Sequence, residues 1–163
     1  MKLREIIKLS NAVGNDLIID GICYYITESD KVAVKATEEF KSGEVKLAEG
    51  VEIIADKAFY DCVCLVSIEI PDGVTSIGAL AFAGCENLLN IRLPKSVTNI
   101  GTAAFHWCRK LQHIEICGNI SFIPNYTFYN CRNLEYIQLP KSITTIGDSA
   151  FGECNNLSKV IIP

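Results

Sequence analysis

The side chains of this sequence that could do chemistry are two histidines and eight cysteines. An imidazole beside a thiol activates a cysteine nucleophile, and closely spaced Cys and His residues resemble pieces of a zinc site. The sequence contains two such pairs, Cys62-x-Cys64 and His106-x-Cys108. Whether these pairs could act in catalysis or bind a metal depends on whether the fold places each side chain in the core or on the surface.

The sequence carries no motif of a known catalytic site. It has no G-x-S-x-G, H-E-x-x-H, P-loop or dinucleotide fingerprint. The only imidazoles, His106 and His113, stand at different phases of one repeat, and we expect them on different faces. The sequence therefore predicts a non-catalytic protein with no cofactor and no metal site.

A 23-residue repeat explains most of the cysteines. The segment A-F-x-x-C, with Thr for Ala once, returns at this interval in five units, which span residues 51–73, 74–96, 97–119, 120–142 and 143–163. Repeats of this length mark solenoids or propellers. A residue type that recurs at the same position of every unit normally faces the interior, and Cys suits such a position because it is small and apolar. Five equivalent cysteines cannot all pair, so we expect free buried thiols at Cys62, Cys85, Cys108, Cys131 and Cys154.

The position of these cysteines in the repeat also argues against a metal site. Cys62 and Cys108, one member of each short pair, belong to the inward column. The cysteines off the column, Cys23, Cys64 and Cys117, are the only plausible reactive thiols.

Each unit has eight columns that should face inward, and all their residues except Thr127 are apolar. The alternation Ile68-x-Ile70 and its equivalents predict one short parallel strand per unit, usually ended by proline. The Val-x-x-Ile segment predicts a second, shorter extended run. Apolar spacing in A-F-x-x-C-x-x-L predicts one or two turns of α or 3₁₀ helix.

Residues 1–50 do not repeat and are predicted to be an N-terminal capping segment of one continuous domain with residues 51–163. Val45 and Leu47 match the phase of a repeat strand, so this part is a half unit. DGICYYIT and KVAVKA predict a β-hairpin over the first unit. Residues 1–14 predict one or two amphipathic helical turns through Leu3, Ile6 and Ile7.

The unit L-x-x-I-x-[IL]-P-x-x-[VI]-x-x-I-G-x-x-A-F-x-x-C resembles the BspA-like, Treponema pallidum-type class of leucine-rich repeat over residues 44–163. The resemblance implies an α/β solenoid, a right-handed coil with a parallel sheet on its concave side and short helical or 3₁₀ turns on the other. It also implies a bacterial surface protein used in adhesion or protein binding. No export signal is visible in this sequence, so the compartment stays open between the cytoplasm and the cell surface.

The outward strand positions are where binding specificity is expected, because the inward columns make the fold. One outward column alternates in charge across Lys46, Glu69, Arg92 and Glu115, which favours mutual neutralisation. The other is chemically mixed. Our candidate ligand-binding residues are Asn90, Arg92, His113, Glu115, Tyr136 and Gln138; an ordinary solvated sheet face is the alternative.

A second candidate patch lies in the A-F-x-x-C segments, at His106, Trp107, Tyr126 and Tyr129. Its alternative is a structural one, because Gly84 at the phase of Trp107 leaves space for the indole to pack on the protein itself.

We therefore predict a binding module whose partner is a protein, peptide or glycan. The net charge of −4 gives no basic surface for nucleic acid, and no apolar stretch is long enough to insert into a membrane. The alternative is a structural or self-assembling unit, in which the uncovered last strand, Val160, Ile161 and Ile162, forms a homodimer.

Overall fold

A computed structural model describes residues 2–12 and 16–162 of the chain. Its N-terminal part consists of one helix, α1 (Leu3–Ala12), and three strands, β1 (Leu17–Ile19), β2 (Ile22–Ile26) and β3 (Val32–Ala36). β2 pairs antiparallel with β3, which is the expected hairpin, and β1 adds a strand that the sequence analysis missed. Ile7 of α1 is fully buried. The last positions of the helix expected at 1–14 lie outside the described residues.

The half unit and the five units contribute one strand each to a face that we call the strand face. These strands are β4 (Glu44–Lys46), β6 (Ser67–Glu69), β8 (Asn90–Leu93), β10 (His113–Ile116), β12 (Tyr136–Gln138) and β14 (Lys159–Ile161). They form a parallel sheet in the order β10-β8-β6-β4 and a separate parallel pair, β12 with β14. Paired residues are 23 positions apart, as the repeat predicts.

A second row of two-residue strands runs along another side of the units. It comprises β5 (Ile53–Ile54), β7 (Ser76–Ile77), β9 (Asn99–Ile100), β11 (Phe122–Ile123) and β13 (Thr145–Ile146). β3 of the hairpin pairs in parallel with β5, so the N-terminal strands extend this row. The row is continuous as far as β9 and resumes as the pair β11–β13. The predicted second extended run is confirmed.

The core follows the eight predicted columns. In the first four units every column residue is buried except Cys62, which is half-buried. Phenylalanine rings form a stack at its centre, with neighbouring centroids 5.3–5.5 Å apart and nearly parallel planes. Thr127, the one polar column residue, is satisfied because its hydroxyl donates to the carbonyl of Pro124 at 2.7 Å. Column packing therefore holds the solenoid together.

The predicted α or 3₁₀ helix in A-F-x-x-C is wrong: these segments are successive turns. In the first unit, Ala58, Tyr60 and Cys62 donate to carbonyls three residues earlier. The alternate residues donate instead to the next unit, with Phe59 bonded to the carbonyl of Ala81 at 2.7 Å. A helix cannot form because two residues per segment, such as Leu80 (φ 56°) and Trp107 (φ 61°), are left-handed.

Within the described ranges, no helix is long and apolar enough to cross a membrane.

Candidate binding surfaces

The charged column of the strand face is largely self-neutralised. Lys46 Nζ lies 2.9 Å from a carboxylate oxygen of Glu69, and Arg92 Nε lies 3.2 Å from one of Glu115. These side chains are mostly exposed, so each pair contributes little to stability. Of the candidate ligand residues, Arg92 and Glu115 thus already have a partner in each other.

On the strand face, the backbone hydrogen bonding between units is weakest at the junction of units three and four. A backbone N–H just before each strand donates to a carbonyl 23 residues earlier. The N···O distance is 3.5 Å from Glu135 to Gln112, the unit three–four junction. Elsewhere it is 2.6 Å (Val66 to Gly43), 3.0 Å (Leu89 to Val66) and 2.9 Å (Gln112 to Leu89, Ser158 to Glu135). β10 and β12 consequently form no ladder with each other.

Pro124 explains why the second row is also interrupted here. Gly101 and Gly147 occupy the position equivalent to Pro124 in units three and five. Their backbone N–H groups donate to a carbonyl of the preceding unit at 2.7–2.8 Å, whereas proline has no N–H to donate. A Cβ at Gly101 would lie only 2.3 Å from the backbone nitrogen of Ala79. Proline also carries a Cβ and a ring at this tight position, so β11 does not pair with β9.

The turn segments stay joined across the same junction. Ala103, Phe105 and Trp107 donate to unit four at 2.8–3.0 Å. The phenylalanine stack also continues, with 5.5 Å between the ring centroids of Phe105 and Phe128. The loss of backbone pairing is therefore confined to the two strand rows.

Four of the candidate ligand residues meet at this junction. His113, Glu115, Tyr136 and Gln138 line a cavity of about 530 Å³, which we call the strand-face cavity. The rings of His113 and Tyr136 are 5.4 Å apart, and Tyr136 is 47% exposed. Asn90 and Arg92 lie outside it, and Arg92 lines a separate depression with Lys46 and Glu69.

The second candidate patch forms one aromatic cluster. The ring centroid of His106 lies 5.2–6.5 Å from those of Trp107, Tyr126 and Tyr129. Burial lowers the pKa of His106 below its usual value. Trp107 remains 40% exposed, and the guanidinium carbon of Arg109 is 4.7 Å from its ring.

This cluster borders a cavity of about 560 Å³, which we call the turn-face cavity. Its lining includes Tyr60 and Asp61 from unit one, which the sequence analysis missed, together with Gly84, His106, Trp107 and Tyr126. A signal was present, because Tyr60 shares the phase of His106 and Tyr129. Aromatic residues at one phase of neighbouring units indicate a shared surface.

All eight cysteines are free thiols. The inward thiols are bonded: the Sγ atoms of Cys85, Cys108, Cys131 and Cys154 each donate, at 3.0–3.2 Å, to the carbonyl of a phenylalanine in the preceding unit. Burial raises the pKa of Cys62 and of Cys154 to about 11, and it raises the pKa of Cys108 well above the ordinary value for a thiol. These thiols are therefore poor nucleophiles.

Two of the off-column thiols, Cys23 and Cys117, also have a raised pKa. Burial raises the pKa of Cys23, and for Cys117 burial and a hydrogen bond to Glu115 do the same. Among residues 2–12 and 16–162, no three His, Cys, Asp or Glu side chains come together as a metal site would require.

The last unit exposes apolar columns that earlier units bury. Val160 is 37% exposed and Ile162 62%, whereas Ile137 and Leu139, their equivalents in unit four, are buried. β14 pairs with β12 on one side. Residue 163, the last expected strand-ending proline, is outside the described residues.

The sequence profile of the BspA type leucine rich repeat region matches residues 52–163 in six copies. The chain belongs to this family. The match is to a repeat family and not to an enzyme family, and members of such families are generally interaction or surface proteins. No curated protein matches the chain.

Solved structures agree with the family. The T. pallidum leucine rich repeat protein is 31% identical, with a TM-score of 0.82 over 90% of this chain and 71% of its own. A leucine rich cell surface protein from Faecalibacterium prausnitzii (24% identity, TM-score 0.78) and a leucine-rich repeat protein from Eubacterium ventriosum (25%, 0.74) match 91% and 86% of this chain. The chain spans only 42% and 40% of those two proteins.

Proposed function

We propose that the chain is a non-catalytic binding module whose strand face engages a protein or peptide at the junction of units three and four. The observation that supports this proposal is the strand-face cavity, where the backbone ladder is interrupted and the side chains of His113, Tyr136 and Gln138 line an open surface. The family supports an interaction role in general, and a surface or adhesion role belongs to the same proposal.

The cavity suits a peptide because Tyr136 offers a half-exposed aromatic ring beside the imidazole of His113, and tyrosine is enriched among residues that dominate binding energy.

The test uses peptides selected on the intact protein from a phage-displayed library. Alanine at His113 and Tyr136 should weaken binding of the selected peptides at least tenfold in calorimetry, since interface anchors contribute about 2 kcal/mol or more. The matched control, Lys46→Ala with Glu69→Ala, changes the same face away from the cavity. Unchanged affinity in the first variant, or equal loss in both, would contradict the proposal, as would selection of glycans alone on a parallel array.

A second candidate function is self-association through the last unit, favoured by the exposure of Val160 and Ile162. An apolar strand edge pairs readily with another chain. Sedimentation across a concentration series should then show a dimer that is lost on Val160→Lys. A monomer at every concentration would exclude this candidate without affecting the strand-face proposal.

A further inference from the structure

The turn-face cavity is built from residues that the proposed function does not use. Three tyrosine or tryptophan rings, those of Tyr60, Trp107 and Tyr126, border it and are each 40–48% exposed. Its floor is formed by small or aliphatic residues: Leu80, Ala83, Gly84 and Ala103. The cavity is therefore shallow, with aromatic rings at its rim and apolar residues at its floor.

The backbone holds two of these rings at positions where large side chains are unfavourable. Trp107 and Tyr126 have φ angles of 61° and 57°, in the left-handed region. At the phase of Trp107 the other units carry Asp61, Gly84, Asn130 and Glu153. Glycine, asparagine and aspartate tolerate this conformation best, so tryptophan at this position destabilises the fold relative to them. Unfavourable backbone positions cluster at binding and catalytic sites.

The lining of the cavity carries one carboxylate, and two cations of the chain flank it. Asp61 is the only charged residue in its lining, and its carboxylate is exposed and lies over Gly84. His106 adds no positive charge at neutral pH, because burial lowers its pKa. Of the flanking cations, Arg109 is 3.4 Å from Glu86, and Lys57 lies beside Tyr60, 5.9 Å from its ring centroid.

The aromatic rings are already in contact geometry with positive groups of the chain. Arg109 lies over Trp107 and Lys57 over Tyr60, both within the range of cation–π attraction. An aromatic surround with one carboxylate is the chemistry that recognises ammonium groups with alkyl substituents.

We propose that the turn-face cavity binds a free alkylated ammonium cation, whose alkyl groups contact the rings of Tyr60, Trp107 and Tyr126 while Asp61 balances its charge. This site is separate from the strand face, so neither proposal depends on the other.

Trp107 is the only tryptophan in the chain, so its fluorescence reports directly on this cavity. Titration of the full chain with choline or tetramethylammonium should give a saturable change in emission. The neutral carbon isostere of choline, with a tert-butyl group in place of trimethylammonium, should bind at least tenfold more weakly. Equal binding of the isostere, saturation by a neutral oligosaccharide instead, or no saturable change would each overturn the proposal.

Two variants separate ligand binding from folding. Asp61→Asn removes the charge, keeps the shape and suits a left-handed backbone, so it should weaken choline binding at least tenfold by calorimetry. Trp107→Asn should abolish binding and leave the thermal midpoint at or above that of the wild type, because it relieves an unfavourable backbone position. A clearly lower midpoint would show that the indole serves the fold and would overturn the proposal. Glu153→Gln, at the same phase but outside the cavity lining, is the control and should bind as the wild type does.

Discussion

Phe105 and Trp107 stand two residues apart in one turn segment, yet they belong to regions with opposite constraints. Phe105 lies in a column that is phenylalanine in all five units, fully buried and stacked on both sides. Trp107 lies in a column with a different residue in every unit and is 40% exposed. Both residues donate the same kind of backbone bond to unit four. The repeat thus fixes the backbone everywhere but fixes side chains only where they face inward.

The largest expected effect tests the inward region. Phe105→Ala should lower the free energy of unfolding by about 3–5 kcal/mol, because it removes a buried ring from the middle of the stack and leaves a cavity. Urea denaturation measures the loss. Phe151→Ala, at the partly buried end of the stack, should cost less. If Phe105→Ala lowers the free energy of unfolding no more than Phe151→Ala does, the inward column does not constrain its central side chains more strongly than its end.

A smaller effect is expected at the cysteine column. Cys108→Ala should cost about 1–2 kcal/mol, since it removes both packing and the thiol hydrogen bond to the carbonyl of Phe82. Cys108→Ser keeps a donor at that position and should cost less than alanine in the same denaturation assay. If serine proves the more damaging change, the column selects cysteine for its apolar character alone.

The smallest effect tests the outward aromatic cluster. Burial lowers the pKa of His106 in the folded chain, so the unfolded chain binds its proton more readily. His106 should therefore reduce stability progressively as the pH falls below about 6.5, the ordinary histidine value, with no effect above it. The rings of Tyr126 and Tyr129 and the Asp61 side of the turn-face cavity surround this imidazole.

Thermal melts between pH 5 and 7 measure this dependence, with His106→Phe as the reference. The variant should lose the part of the slope that comes from His106. Identical slopes in both proteins would show that the imidazole is as well solvated when folded as when unfolded.

The repeat period was enough to predict the strands and the inward columns, because burial imposes the same residue type at the same phase. It could not distinguish a helix from successive turns, since A-F-x-x-C-x-x-L has apolar spacing compatible with both. Left-handed positions occupied by Leu80, Ala103 and Tyr126 give no signal in residue type.

The binding surfaces were predicted less completely. Tyr136 and His113 could be found from their strand phase, but the cavity that they line depends on the missing ladder between β10 and β12. Tyr60 and Asp61 lie in unit one, two units away from His106 and Trp107, so the column pattern did not show that one turn-face cavity brings them together. Contacts between units follow from geometry that the period alone does not give.

Pro124 has a consequence for how the molecule responds to force or heat. It interrupts the second row at the same junction where the strand-face ladder ends between β10 and β12, so the array consists of an N-terminal block and a C-terminal block that remain joined along the turn segments. Since neighbouring repeats stabilise each other through their shared interfaces, the weakest interface sets the boundary of cooperative melting. Units four and five should accordingly detach together, so that amide protons there exchange with solvent before those of units one to three.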